Sequence, residues 1–189
     1  MHSLRLNKFK TLFKQNHFMA RTKARFPGEI KVINNAVKRP ENKGGIVIGA
    51  YPTKKDGERF DEKINHVSTR YPDTLAYLRM HPKGENLAVS IIKRDFRNGR
   101  LHAEMRRYGN YREALISAAE NYAKENGFKQ VLIAGAEHQK RASPNIPEHE
   151  LASTYEKIPF KLGYSKQTLE EPVELESFTN RHFWIKKIK

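Results

Sequence analysis

Leu87-Ala88-Val89-Ser90-Ile91-Ile92-Lys93-Arg94-Asp95-Phe96 opens the stretch whose reading decides the fold. Rich in Val and Ile, it reads as a strand. Arg97-Asn98-Gly99 follows as a hairpin turn, because Asn-Gly tolerates the positive φ of tight turns. Leu101 to Arg106 reads as the next strand, and upstream Thr74 to Met80 alternates as another, ahead of the turn cluster His81 to Asn86. Three strands joined by two short turns make an antiparallel meander. From Tyr111 to Asn126 the period changes: Ala114, Leu115, Ala118, Ala119, Tyr122 and Ala123 recur at helical spacing, and Asn126-Gly127 supplies the stop. Phe128 to Ala134, with Val131, Leu132 and Ile133 in series, is a buried strand. Strand, helix and strand in sequence predict a right-handed crossover and a parallel neighbour in the sheet. The fold class is therefore α/β (α+β), a mixed sheet with an antiparallel meander and flanking helices.

Working outward, Glu29 to Val37 alternates as a strand, Lys38 to Gly45 is a polar loop, and Ile46 to Tyr51 is a short buried strand. Lys54 to Arg70 is highly charged and reads as a solvated helix or loop. On the other side, Gly135 to Pro147 reads as a polar loop and Glu148 to Lys157 as a short helix halted near Pro159. Gly163-Tyr164-Ser165 starts another strand, the acidic stretch Glu170 to Glu176 is loop or edge, and Phe183-Trp184-Ile185 is the final strand.

The 189 residues fit one domain, and the apolar share of 38% with a mean hydropathy of −0.79 describes a modest core under a heavily charged exterior. The absence of cysteine excludes a disulfide framework, a thiol nucleophile and a thiolate zinc site. No apolar run approaches the ~20 residues needed to span a bilayer, so a soluble, cytoplasmic protein is expected. The formal charge of +15 points to a polyanionic partner. It is unevenly spread. Seven of the 36 basic residues and none of the 21 acids lie in residues 1–28, which leaves +8 for residues 29–189. Leu4, Leu6, Phe9, Leu12 and Phe13 suit one side of a short helix there, and Met19 offers a second plausible beginning. Four readings stay open for this basic extension: a nucleic-acid arm, a membrane-surface helix, a transit peptide, or a terminal segment without fixed structure. A secretory signal is not among them, since the stretch has no apolar h-region. The domain proper is expected over residues 29–189.

Arg106-Arg107-Tyr108-Gly109-Asn110-Tyr111 stands between a strand and a helix. A glycine-containing turn that opens a helix aims several backbone N–H groups at one point, and the helix adds roughly half a positive charge there. A pyrophosphate suits such a place. Gly109 lets the backbone approach it, and Arg106, Arg107 and Arg112 would add charge-assisted hydrogen bonds. The stretch is similar to the acyl-CoA signature Q/R-x-x-G-x-G/A of the GNAT family of N-acyltransferases, and the order of elements from Thr74 onward resembles the GNAT fold. Tyr111 stands where that pattern has Gly or Ala, which sets a bulky ring where close approach is expected. Ala152-Ser153-Thr154-Tyr155-Glu156-Lys157, followed by Leu162-Gly163-Tyr164, looks like the family's ending A…Y-E-K-L-G-F, with four extra residues, Ile158 to Lys161, between its halves. The resemblance covers about 115 residues, 74–189.

The resemblance implies direct attack of an amine on a thioester, with acetyl-CoA or another acyl-CoA as cofactor. Such a reaction needs a base for the amine and a proton for the leaving thiolate. By position, Glu104 matches the family's base on the fourth strand, and Glu137 with His138 follows the fifth strand, where a base also occurs. Tyr155 matches the family's thiolate-protonating tyrosine. The remaining histidines show no metal-ligand spacing, so no metal site is expected, and no P-loop, nucleophile elbow or dinucleotide fingerprint is present. Two functions are carried forward. One is an N-acyltransferase acting on an amine of a protein, small molecule or charged RNA. The other is a non-enzymatic nucleic-acid-binding protein that uses the basic extension, and possible partners through that arm are nucleic acid or an acidic protein.

Overall fold

The computed structural model describes residues 28–33, 45–51, 76–94, 109–142, 144–175 and 178–189. Apolar alternation supplies the strands: β1 (Glu29–Ile33), β2 (Ile46–Tyr51), β3 (Ala76–Lys83), β4 (Asn86–Arg94), β5 (Gln130–Ala134), β6 (Ser165–Leu175) and β7 (Phe178–Lys187). They form one sheet in the order β1-β2-β3-β4-β5-β7-β6. All neighbours run antiparallel except β4 and β5, which pair in parallel from Asn86–Gln130 to Val89–Ile133. The mixed α/β sheet with its meander and flanking helices is thus present.

Two details of the meander differ from the sequence reading. Strand β3 runs on through His81, Pro82 and Lys83, so the turn into β4 shrinks to Gly84-Glu85, where Gly84 takes a φ of +58°. The parallel neighbour of β5 is Asn86–Arg94, whereas the sequence order pointed to Leu101–Arg106 as the strand that feeds the crossover. Residues 101–106 lie outside the described residues, as do 34–44, the charged stretch 54–70 and the extension 1–27.

Helix α1 (Tyr111–Glu125) lays Tyr111, Ala114, Leu115, Ile116, Ala118, Ala119 and Ala123 against the sheet. The small residues let helix and sheet approach closely, and each fully buried Leu or Ile here contributes roughly 1.5–3 kcal/mol. Its end is a Schellman motif. Phe128 N–H donates to Ala123 C=O at 2.9 Å and Gly127 N–H to Lys124 C=O at 3.4 Å, with Gly127 at a φ of +75°. On the helix face of the sheet these residues pack with Leu87, Val89, Val131, Ile133, Tyr155 and Trp184; on the other face Ala88, Leu132, Ala134, Phe183 and Ile185 form a second cluster.

Two further corrections concern the segment after β5. Residues 136–142, expected as loop, form helix α2 (Ala136–Ala142). The expected short helix does not halt at Pro159: α3 (Glu148–Ala152) passes through a π-helical turn (Ser153–Lys157) into α4 (Ile158–Lys161). The wide turn closes with Ile158 N–H donating to Ser153 C=O, and Pro159, which has no N–H, falls at the start of α4 where none is needed. A second Schellman motif at Gly163 (φ +83°) ends it, with Tyr164 N–H donating to Pro159 C=O at 3.0 Å. The acidic stretch 170–175 belongs to the edge strand β6, next to β7.

Candidate functional site

The parallel ladder between β4 and β5 stops at Val89–Ile133, while β4 continues to Arg94 alongside β3. The sheet therefore splays, and Tyr155 lies in the opening.

The N-terminus of α1 lies nearby, since Tyr111 and Arg112 act electrostatically on Tyr155. Gly109 and Asn110 are exposed, a Cβ built on Gly109 meets nothing within 4 Å, and the Asn110 side chain makes no capping hydrogen bond. The first intrahelical bond runs from Ala114 N–H to Asn110 C=O at 3.0 Å, so the N–H groups before it point out of the helix end. Tyr111 does not crowd this turn: it is 4% exposed, its ring packed in the core. That removes the obstruction its bulk led us to expect. Arg112 lies across the Tyr111 ring at 4.9 Å and donates to Glu150 at 3.0 Å, and Glu113 is neutralised by Lys161 at 2.8 Å. Glu104, Arg106, Arg107 and Tyr108 lie outside the described residues.

Inside the splay, Tyr155 is 3% exposed, and both directions of its hydroxyl go to one residue of β4. It accepts from Ile92 N–H at 2.8 Å and donates to Ile92 C=O at 3.0 Å. Burial pushes this hydroxyl well above its ordinary value of 10.0, so it stays protonated. Two residues nearer the ladder, the Gln139 amide donates to Ser90 C=O at 2.8 Å, and Gln139 is 2% exposed.

Glu156, the neighbour of Tyr155, faces the β5 side. One of its oxygens accepts from Ala136 N–H at 2.8 Å, the other from Trp184 Nε1 at 3.1 Å and from Lys166 at 2.6 Å. A Cβ on Gly135 would lie 3.0 Å from Glu156 Oε1, so a side chain there requires that carboxylate to give by a few tenths of an ångström. Gln139 and Glu156 escaped the sequence reading; the signal available for Glu156 was its place beside Tyr155 in the Tyr-Glu-Lys run.

His138 is buried on α2, 3.3 Å from the Glu137 carboxylate, with its ring stacked on His182 at 6.4 Å. Burial holds its imidazole below the ordinary 6.5; Glu137 opposes this and Arg141 and His182 reinforce it. His182 Nδ1 in turn lies 3.0 Å from Thr168 Oγ1. Glu137, Thr168 and His182 border a cavity of about 300 Å³ between α2 and the β6–β7 hairpin, lined also by Gly135, Lys166 and Trp184. The fold thus brings Tyr155 and Gln139 to one strand edge, while His138, next to Gln139, contacts Glu137 and His182. Among the described residues no cluster of His, Asp or Glu has the makings of a metal site, and no helix is long and apolar enough to cross a membrane.

A pyrophosphate-bearing cofactor such as acyl-CoA can be tested against these residues. The phosphate end fits: the turn is open, uncapped by Asn110, and without a side chain at Gly109.

No family model matches the chain, and no curated protein matches it. Among solved structures it is similar to GNAT-family acetyltransferases at low sequence identity and high coverage. One is an acetyltransferase of the GNAT family from Staphylococcus aureus MU50 (11% identity, 79% of this chain and 71% of that chain, TM-score 0.43). Another is a Bacillus subtilis acetyltransferase in complex with CoA (12% identity, 84% and 95%, TM-score 0.40). A third is an IAA acetyltransferase from Bacillus cereus ATCC 14579 (13% identity, 84% and 96%, TM-score 0.39).

Proposed function

We propose that the chain is a divergent GNAT-type N-acyltransferase that moves an acyl group from acetyl-CoA, or another acyl-CoA, to an amine. The observation that carries this reading is the open Gly109-Asn110 turn at the N-terminus of α1, together with the parallel pair β4–β5 that splays beyond Val89. Backbone N–H groups and the helix dipole hold the pyrophosphate there, and Arg106, Arg107, Tyr108 and Arg112 complete the cradle. When bound, the cofactor supplies an activated acyl carbon and a thiolate leaving group. His138, kept neutral by burial, is the candidate acceptor of the amine's proton, with Glu104 as the other candidate base. Tyr155, kept protonated by burial, is the candidate donor toward the leaving group.

Acetyl-CoA should raise the melting temperature of the full chain, since any ligand that binds only the folded state stabilises it by about 4 kcal/mol at a thousandfold excess over Kd. Gly109→Glu should remove that gain. An unshifted transition at millimolar acetyl-CoA, with Gly109→Glu indistinguishable from wild type, overturns the assignment. One observation favours a second reading, a nucleic-acid-binding protein without activity: residues 1–28 carry seven bases and no acid. That reading requires nucleic-acid affinity that falls steeply with salt, and a flatter slope after deletion of residues 1–28.

A further inference from the structure

Beyond Val89, β4 has lost β5 as its partner, yet its backbone groups lie in the interior and need hydrogen bonds. Ser90 and Ile92, two residues apart, turn their backbone toward the same edge of the strand. Each is satisfied by a side chain from the far side of the splay: Ser90 C=O by Gln139, Ile92 N–H and C=O by the single hydroxyl of Tyr155. A tyrosine hydroxyl that both accepts from and donates to one residue stands in for the C=O and the N–H that two peptide units of an adjacent strand would supply. The π-helical turn aims it there. The turn is pinned to the β5 side by Glu156, through Ala136 N–H and Trp184, so that Tyr155 reaches across to β4.

We propose that Tyr155 and Gln139 are a displaceable cover over the open edge of β4, standing where an amide-bearing chain would pair, and that such a chain takes Ile92 by releasing the Tyr155 hydroxyl. The ligand class follows from the groups covered: the N–H and C=O of Ile92 face one edge, and since a trans amide directs its own N–H and C=O to opposite sides, they are matched by two successive amides of an extended chain. Identifying that chain with the arm of acyl-CoA, which carries two secondary amides, rests on the acyltransferase reading above. The exchange trades hydrogen bond for hydrogen bond, so it is nearly balanced and reversible. It also sets free an O–H that in the ligand-free protein is committed to Ile92 C=O. Tyr155 in this account is first a positioning residue, and a proton donor only once displaced.

The test uses the full chain, with pantetheine as the amide-bearing probe and ADP as the pyrophosphate-bearing probe, titrated against wild type, Tyr155→Phe and Gln139→Leu. Tyr155→Phe should bind pantetheine roughly tenfold more tightly, the worth of one neutral hydrogen bond no longer displaced, with ADP affinity unchanged. The Ile92 amide should exchange with solvent faster in free Tyr155→Phe and regain protection when pantetheine is bound. Gln139→Leu should tighten pantetheine in the same direction, and carries the test if Tyr155→Phe fails to fold. Equal or weaker pantetheine binding in a folded variant, or unchanged Ile92 exchange, overturns the cover, because a purely structural tyrosine would only weaken binding when trimmed. Failure of ADP to bind wild type overturns the acyl-CoA reading instead, and leaves the pantetheine and exchange results to judge the cover.

Discussion

The N-terminus of α1 and the open edge of β4 are finished in opposite ways. At the α1 N-terminus the turn is exposed, has no side chain at Gly109 and no cap from Asn110. At the β4 edge, Ser90 C=O and the N–H and C=O of Ile92 are each taken by a buried side chain. An anion site can stay open to water because its N–H groups are solvated until a ligand arrives. A strand edge in the core cannot, since unpaired groups there cost roughly 1–3 kcal/mol each. The contrast teaches that a strand edge left open in the core has to be filled by something, and here the filling is built in.

The sharpest way to break this comparison is at the open end. Gly109→Glu places a carboxylate where a phosphate would sit, and should weaken acetyl-CoA by on the order of 100-fold. The free protein should melt as wild type does, because a Cβ at this position meets nothing. A variant that loses both binding and stability would show that the turn is not open.

At the filled end, Glu156→Ala should destabilise by about 3 kcal/mol, read from urea unfolding at constant m-value. It strips the partner from Ala136 N–H and Trp184 Nε1 and unpairs Lys166. It should also loosen Tyr155, so the Ile92 amide exchanges faster even though Tyr155 is intact. Loss of stability with normal Ile92 exchange would separate the π-helical turn from the cover.

How much of this was legible in the sequence follows the range of the forces involved. Helix α1 and its stop at Gly127 were readable, since a 3.6-residue apolar period and an αL glycine are local signals. The apolar runs at 46–51, 87–92 and 131–134 were readable as strands for the same reason. The parallel partner of β5 was not: Asn86–Arg94 and Leu101–Arg106 have comparable strand character, and ladder choice is a tertiary decision. Helix α2 was missed because Ala-Glu-His-Gln-Lys-Arg-Ala carries no apolar stripe. The passage of the helix through Pro159 was missed because a π-helical turn leaves no composition mark. Tyr155 was singled out through a family resemblance; its bond to Ile92, 63 residues away, has no local trace. Gln139 was invisible for the same reason.

Smaller effects sharpen the frame around the comparison. Gly127→Val should cost about 1–2 kcal/mol, since the β-branched side chain must enter a φ of +75°; acetyl-CoA affinity should not change, as the Schellman motif closes the far end of α1. A wild-type melting curve in this variant would remove the account of how α1 ends. The smallest effect is a pH dependence at His138. Its folded-state pKa lies below the unfolded 6.5, so between those two values the unfolded chain binds more protons. Its contribution to stability is therefore intact above pH 6.5 and is lost as pH falls from 6.5 toward the lower folded value. Glu137, Arg141 and His182 all face this ring, and His138→Gln should flatten the acid limb of the stability profile while they remain. An unchanged limb would assign it to other groups.

The most direct test of the whole account is calorimetric titration of acetyl-CoA into the full chain and into Tyr155→Phe. The account predicts saturable one-to-one binding to wild type and tighter binding to the variant, because the open turn holds the phosphates while the variant no longer has to give up the Ile92 bonds. The absence of binding heat at millimolar acetyl-CoA in both proteins, or weaker binding in a folded Tyr155→Phe, would contradict it.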